Sequence, residues 1–334
     1  MQKDFVRKHG GPAPRYTSYP TAPHFHAGID GETYARWLRG LKPGQTLSLY
    51  IHIPWCDRLC WFCGCNTKQT LRYDPLKTYL SALENEMETI SGLVDPKCRV
   101  TALHLGGGSP TMLRPDDMVA LNQMLRSRFS FDADAEISVE MDPNDLTAEK
   151  YDALAEIGMT RASIGVQDFD EKVQKAINRE QTFEQTRDVV EQVRARGVRS
   201  VNCDVLYGLP HQTRQSVDQT IKQVLSLAPD RIALFGYAHV PWMKTHQKMI
   251  DEAALPDLTE RFAQMNRAAS TLTSSGYTAI GIDHFALPAD SLAIAAASGS
   301  MRRNFQGYTS DTADALIGMG ASSIGQLPQG YVQN

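Results

Sequence analysis

The sequence predicts an α/β fold: a partial (β/α)6 TIM-like barrel with an N-terminal extension and a C-terminal appendage. Three observations lead there. Short β-branched or aromatic runs alternate with longer, polar-patterned stretches. The connections between runs are long enough to be helical crossovers, which makes the strands parallel and, with right-handed crossovers, curls them. Polar residues and glycines gather just past the run ends, the rim at which parallel barrels place their chemistry. The composition agrees: 334 residues, 34 Lys+Arg against 38 Asp+Glu for a net charge of −4, and 42% hydrophobic residues. That fits one large domain with appendages and argues against disorder and against bulk nucleic-acid or membrane-surface binding. No apolar run approaches the ~18–20 residues of a spanning helix. The first ten residues lack the apolar centre of a secretory signal, so a cytoplasmic chain is expected.

Taken in order, strands are expected at residues 47–54, 100–105, 136–141, 161–167, 200–207 and 231–237, with a weaker candidate at 277–284. Helices are expected between them, at 73–91, 115–128, 147–157, 182–196, 214–227 and 258–275. Thr147 and the pair Asp116-Asp117 supply polar or acidic groups for first-turn N–H groups, and Gly158 and Gly197 stand where helices should stop. Three regions follow: an extension over 1–45, the barrel over 46–285, and a C-terminal region over 286–334. Past the six run ends lie Pro54-Trp55-Cys56, Gly106-Gly107-Gly108-Ser109, Glu140-Met141-Asp142, Gln167-Asp168, Asp204 and Tyr237-Ala238-His239.

Of six cysteines, Cys56, Cys60, Cys63 and Cys65 fall within ten residues as C-x3-C-x2-C-x-C. In a cytosolic chain such a cluster reads as a metal or redox centre rather than a disulfide framework. A structural four-cysteine zinc knot is one reading. Zinc sites, however, usually pair two separate C-x2-C elements, and bulky Leu59, Trp61 and Phe62 suit a cubane shielded in a loop. If three thiolates hold a [4Fe–4S] cluster, one iron keeps the open position that catalysis needs. Cys98 and Cys203 read as small buried hydrophobes.

The cysteine spacing, Phe62 before the third cysteine and Gly106-Gly107-Gly108 together resemble the radical S-adenosylmethionine (SAM) enzymes. Within them, Arg15-Tyr16-Thr17-Ser18-Tyr19-Pro20, Cys63-Gly64-Cys65-Asn66, Gly106-Gly107-Gly108-Ser109-Pro110-Thr111 and Arg302-Arg303-Asn304-Phe305-Gln306-Gly307-Tyr308 look like the oxygen-independent coproporphyrinogen III oxidases, over roughly residue 9 to the end. That family carries a further helical C-terminal domain, so the resemblance implies a truncated chain.

The resemblance implies a radical SAM barrel in which Cys56, Cys60 and Cys63 ligate a [4Fe–4S] cluster, with Cys65 functional but outside the ligand set. A first SAM would lie against Tyr50, Phe62, Gly107, Glu140 and Ile324, and a second against Gly108, Ser109, Gln167, Arg179, Asp204 and Ala238. An electron from the cluster cleaves SAM, and the resulting 5′-deoxyadenosyl radical takes hydrogen from propionate side chains of coproporphyrinogen III. Carbon dioxide leaves and vinyl groups form, giving protoporphyrinogen IX in haem biosynthesis. An electron donor for the cluster is implied, with no nucleic-acid or membrane partner, and a monomer is expected.

Each of these residues has a plainer reading beside it: a tight turn for the glycines, a salt-bridged rim carboxylate for Glu140, an exposed helix-end cation for Arg179, core for Ile324. The glycines, lacking β-carbons, are expected to let backbone approach the cofactor. Arg15, Arg302 and Arg303 are candidate partners for substrate carboxylates. His24 and His26 read as a surface loop. His52 reads equally as a hydrogen-bonded barrel histidine or a substrate contact. A haem-carrying relative shares the cysteines and glycines, but it typically has an aromatic where Cys65 stands and lacks the 15–20 motif.

Overall fold

The structure, a computed structural model, describes residues 8, 19–21, 24–144 and 146–334. After α1 (Gly31–Arg39), capped by Asp30 accepting from the Thr33 N–H at 2.8 Å, the chain enters β1 (Thr46–Ile53). Alternation divides this strand. Leu47, Leu49, Ile51 and Ile53 are all 0% exposed and join the core with Leu76, Leu83 and Met87 of α2 (Asp74–Ser91). Ser48, Tyr50 and His52 therefore share the opposite face.

The pattern repeats through β2 (Arg99–Gly107), α3 (Pro115–Arg128), β3 (Ser130–Met141), α4 (Ala148–Glu156) and β4 (Arg161–Gln167). It continues through α5 (Glu171–Ala176), α6 (Phe183–Ala195), β5 (Ser200–Tyr207), α7 (Arg214–Ser226) and β6 (Arg231–Gly236). Strands β1 to β6 pair in chain order, every neighbour parallel, as the crossovers dictate. Local chemistry sets the helix limits. Thr182 and Gln185 form a reciprocal capping box at α6, and Thr213 and Ser216 do so at α7. Gly158 and Gly197 follow α4 and α6 with left-handed backbone.

Two departures from the expected elements stand out. Residues 277–284 do not form one strand: after Tyr277 and α8 (Leu258–Ser274) come β7 (Thr278–Ile280) and β8 (His284–Ala286), an antiparallel hairpin whose second strand extends the sheet from β6. Gly281, at φ 61°, lets the chain reverse inside the apolar run. Beyond α9 (Ser291–Ser298), the C-terminal region supplies β9 (Ala315–Met319), which lies parallel against the free side of β1. Then β10 (Ile324–Leu327) and β11 (Gly330–Gln333) continue antiparallel. The run Ala-Leu-Ile-Gly-Met is short and broken by glycine, so periodicity does not mark it, yet it is buried throughout. Among the described residues the result is an open eleven-stranded sheet, order β11-β10-β9-β1-β2-β3-β4-β5-β6-β8-β7.

The N-terminal ends of the strands are tied by an ion network in which Arg161 and Asp290 are buried. Arg161 forks onto Glu136 at 3.0 and 2.8 Å, and Arg231 reaches Asp290 at 2.5 Å. The same Asp290 caps α9 through the Leu292 N–H. Polar groups at this end hold the frame, leaving the opposite rim for chemistry. Among the described residues no helix is long and apolar enough to cross a membrane.

Candidate active site

Directly after β1, Trp55–Cys56 pairs with Lys68–Gln69, closing the base of the loop that carries the cysteines. Cys56 Sγ lies 3.1 Å from Thr67 Oγ1. The Cys63 N–H donates to Cys60 O at 3.1 Å, and the Cys65 N–H points at Cys63 Sγ at 3.4 Å. Two outside segments clasp this loop. From the α5–α6 connection, Ile177 O accepts from the Trp61 N–H at 2.9 Å and Asn178 Nδ2 donates to Leu59 O at 3.0 Å. From the stretch past β6, Lys244 Nζ donates to Cys65 O at 2.9 Å, His246 Nε2 lies 2.8 Å from Cys63 O, and Gln247 Nε2 donates to Phe62 O at 3.1 Å.

Electrostatics separates the thiols. Burial pushes Cys56 up to about 12 and raises Cys60 as well. Cys63 moves the other way, to about 7, because the Cys65 thiol hydrogen-bonds to it, and Cys65 rises correspondingly. Among the described residues no three His, Cys, Asp or Glu side chains are gathered as a single-ion site.

A second group lies on the inner faces of β1, β2 and β3 and touches the loop through His52 and Asn66. Tyr50 stacks on its register partner His104, with ring centroids 5.7 Å apart, and its hydroxyl meets His52 Nδ1 at 2.9 Å. His52 Nε2 in turn meets Asn66 O at 2.9 Å, so His52 is a hydrogen-bonded barrel histidine. His104 Nε2 lies 3.1 Å from Glu140 Oε1, and the Gly107 N–H donates to Glu140 Oε2 at 3.0 Å. Burial works to raise the Glu140 pKa. The hydrogen bonds from His104 and Gly107 outweigh it and hold the carboxyl below its usual range.

The glycine run also answers a packing need. A β-carbon on Gly106 would sit 2.8 Å from Glu140, one on Gly107 2.7 Å from the His52 ring, and one on Gly108 2.6 Å from Trp55 O. Backbone and side chains of this chain already fill those spaces, and Gly107 also has φ 116°. The run lets β2 close against β1 and Glu140.

A third group converges on Gly165 in β4. Its register partner is Asp204, and the pairing shifts between Gly165 and Gln167, where Gln167 takes φ 64°. A β-carbon on Gly165 would lie 2.9 Å from Arg179 Nη2 and 3.0 Å from Gln167 Nε2. Asp204 Oδ1 accepts from Asn202 Nδ2 at 2.9 Å. Beside Gln167, the 1% exposed Asp168 accepts from the Asp170 N–H, Thr220 Oγ1 and Gln212 Nε2.

The sequence pattern of the Radical SAM superfamily matches residues 50–224, more than half of the chain. A protein named oxygen-independent coproporphyrinogen III oxidase from Bradyrhizobium diazoefficiens is 50% identical over 321 residues, covering 96% of this chain and 71% of its own. The chain belongs to the oxygen-independent coproporphyrinogen III oxidases of the radical SAM superfamily. The Pseudomonas aeruginosa member is 42% identical, with 99% of this chain and 73% of that one covered. The solved structure described as coproporphyrinogen III oxidase from Escherichia coli, a radical SAM enzyme, superposes with a TM-score of 0.92 at 42% identity, covering 96% of this chain and 73% of that one.

Within this oxidase-family chain, the expected site residues collect into these three groups with some at the margins. Tyr50, Gly107 and Glu140 are linked through His104. Gln167, Arg179 and Asp204 meet around Gly165. Arg179 is no exposed helix-end cation: it is 8% exposed and ion-paired with Asp142 at 2.7 Å. The buried Ser109 hydroxyl sits 2.9 Å from Thr111 Oγ1. Phe62 packs in an apolar group with Trp61, Val173, Ile177 and Tyr237. Ala238 is exposed past β6, its carbonyl accepting from Gln247 Nε2 at 3.3 Å. Ile324 opens β10, its backbone pressed against Gly318.

Arg15 lies outside the described residues. Arg302 donates to Thr312 O at 3.1 Å, and Arg303 stands over the Tyr19 ring at 5.6 Å. His24 and His26 are exposed at the surface, and Cys98 and Cys203 are buried at 2% and 0% exposure. Sequence reading missed His104, Asn178, Lys244, His246 and Gln247, and named Asp142 and Phe305 only within the rim after β3 and the 302–308 motif; the edge of Phe305 lies 4.7 Å from Tyr50. Of the missed residues only His104 carried a signal, as the polar break in the apolar run of β2.

Proposed function

We infer that this chain carries out the oxygen-independent oxidation of coproporphyrinogen III to protoporphyrinogen IX in haem biosynthesis. One observation carries the reading: a C-x3-C-x2-C loop follows the C-terminal end of β1 and is tied through Asn66 O to His52, whose ring lies beside Gly107 and its Glu140 partner, in a chain 50% identical to a named oxidase. The cofactors are a [4Fe–4S] cluster and SAM, which when bound supply the radical that takes hydrogen from propionate side chains.

The donor set fits the cluster. Three thiols share one pinned loop, with the Cys65 N–H turned to Cys63 Sγ and an Arg179 N–H 3.8 Å from Cys60 Sγ, the hydrogen bonds that iron–sulfur thiolates use. Cys56, Cys60 and Cys63 would hold it, with Cys65 outside the ligand set. Tyr50, Phe62, Gly107, Glu140 and Ile324 would hold the SAM that is cleaved. Gly108, Ser109, Gln167, Arg179, Asp204 and Ala238 would border a second SAM. Glu140, held as a carboxylate, is the acceptor for cofactor ammonium or hydroxyl donors. Arg302 and Arg303 are the cations offered to substrate carboxylates. These residues bind, orient and exclude water, which is what the protein owes a cofactor that does the hard step. An external one-electron donor, a monomer, and a cytoplasmic setting without nucleic-acid or membrane partners complete the reading.

The test is anaerobic incubation of reduced, iron-reconstituted protein with SAM and coproporphyrinogen III. Fluorescent protoporphyrin after oxidation is the expected product. Bound haem without turnover would favour a haem carrier, and stoichiometric zinc in a colourless protein would overturn the cluster. Serine at Cys56, Cys60 or Cys63 should abolish cluster and turnover, whereas Cys65→Ser should keep the cluster.

A further inference from the structure

Arg179 is buried, 8% exposed, and points from the α5–α6 connection at the middle cysteine of the loop. Its Nη1 donates to Asp142 Oδ2 at 2.7 Å and stands 3.8 Å from Cys60 Sγ, while Nη2 donates to Gly165 O at 2.7 Å. Nε is buried without a partner. The surrounding scaffold is rigid for its length. Gln174 Nε2 donates to Asp168 O at 2.8 Å and Gln181 O at 2.6 Å, and Gln181 Nε2 donates to Gly165 O and Val166 O at 3.1 and 2.9 Å. Gly165, having no β-carbon, leaves the space that Nη2 occupies. A charged fork held this firmly against a sulfur is more than an ion pair.

We propose that Arg179 sets the reduction potential of the iron–sulfur cluster by acting on Cys60. It is a positioning residue, and the inference rests on Cys60 being a cluster ligand. Reduction adds one electron from an external reductant and neither makes nor breaks a bond, so the sulfurs become more negative. A guanidinium N–H beside Cys60 stabilises that form more than the oxidised one and raises the potential. Asp142, 8% exposed and paired with the same nitrogen, opposes it. The pair is a dipole with its positive end at the sulfur. Arginine suits this because one planar fork meets a carboxylate, a carbonyl and a thiolate together, which an ammonium cannot do.

The experiment is a dye-mediated potentiometric titration of the reconstituted full chain without SAM, followed by electron paramagnetic resonance of the reduced cluster. Iron and sulfide are counted first: wild-type protein that binds no cluster defeats the ligand assignment, and a loaded one leaves it standing whatever follows. In Arg179→Gln the reduced-to-oxidised ratio at fixed potential should fall about tenfold, equivalent to about 59 mV. In Asp142→Asn it should rise, and Arg179→Lys should recover part of the loss. An unchanged midpoint in loaded Arg179→Gln overturns the proposal, as does a shift of the Gln and Asn variants in the same direction. If Arg179→Gln fails to load iron, Asp142→Asn decides alone, and a midpoint at or below the wild-type value refutes it.

Discussion

Asp168 is a carboxylate stored without a cation, and that has a measurable cost. It is 1% exposed, and burial pushes its pKa from 3.8 to about 6 despite hydrogen bonds from the Asp170 N–H, Gln212 and Thr220. The folded state therefore binds this proton more tightly than the unfolded chain, so the contribution is favourable at low pH and is lost as pH rises from about 4 to about 6. A shift of about two units corresponds to about 3 kcal/mol, of which about 1.3 kcal/mol falls between pH 5 and 7. Asp168→Asn cannot ionise and lacks that slope. Urea unfolding of the cluster-free chain and of Asp168→Asn, at pH 5 and pH 7, isolates it, because every other titrating group is common to both. The variant should gain on the wild type by about 1.3 kcal/mol over that interval, whatever constant offset comes from placing an amide opposite Gln212. A difference that is flat with pH, or that runs the other way, refutes the reasoning.

Other perturbations reach different parts of the molecule. Asp290→Ala strips the ion-pair partner from the largely covered Arg231 and the cap from α9, and should cost about 3–5 kcal/mol in denaturant unfolding. Gly165→Ala forces a methyl to within 2.9 Å of Arg179 Nη2; a loss of about 1–3 kcal/mol of stability is expected, with weaker SAM binding by calorimetry. His246→Ala removes the contact to Cys63 O; its melting point should change by less than the equivalent of about 1.5 kcal/mol, while the visible absorbance of the cluster decays faster in air.

What the sequence could disclose depended on the range of the interaction responsible. Strand β4 and helix α3 match their expected limits because alternation, an opening proline and Asp116-Asp117 are local signals. The cysteine loop was legible for the same reason, being ten consecutive residues. By contrast, the clasp of that loop by Asn178 and by His246 joins residues 119 and 183 positions apart, and nothing in either segment announces its partner. Glycine had a packing role the sequence did not disclose: the missing β-carbons of the 106–108 run accommodate Glu140, His52 and Trp55, residues that lie on other elements. Arg179 shows the limit of composition. A polar helix end suggests solvent, but the turn after α5 directs this one side chain inwards to Asp142.

The strand that launches the cysteine loop is flanked by partners of very different age. One neighbour, β2, follows it closely, but the other, β9, is translated far later: Thr46 and Asp314, which join the strands, are separated by 268 positions. At ribosomal speeds of about 5–20 residues per second, β1 waits roughly 15–50 s with one flank bare. The thiol loop therefore gains its second flanking strand only after residue 319 has been made.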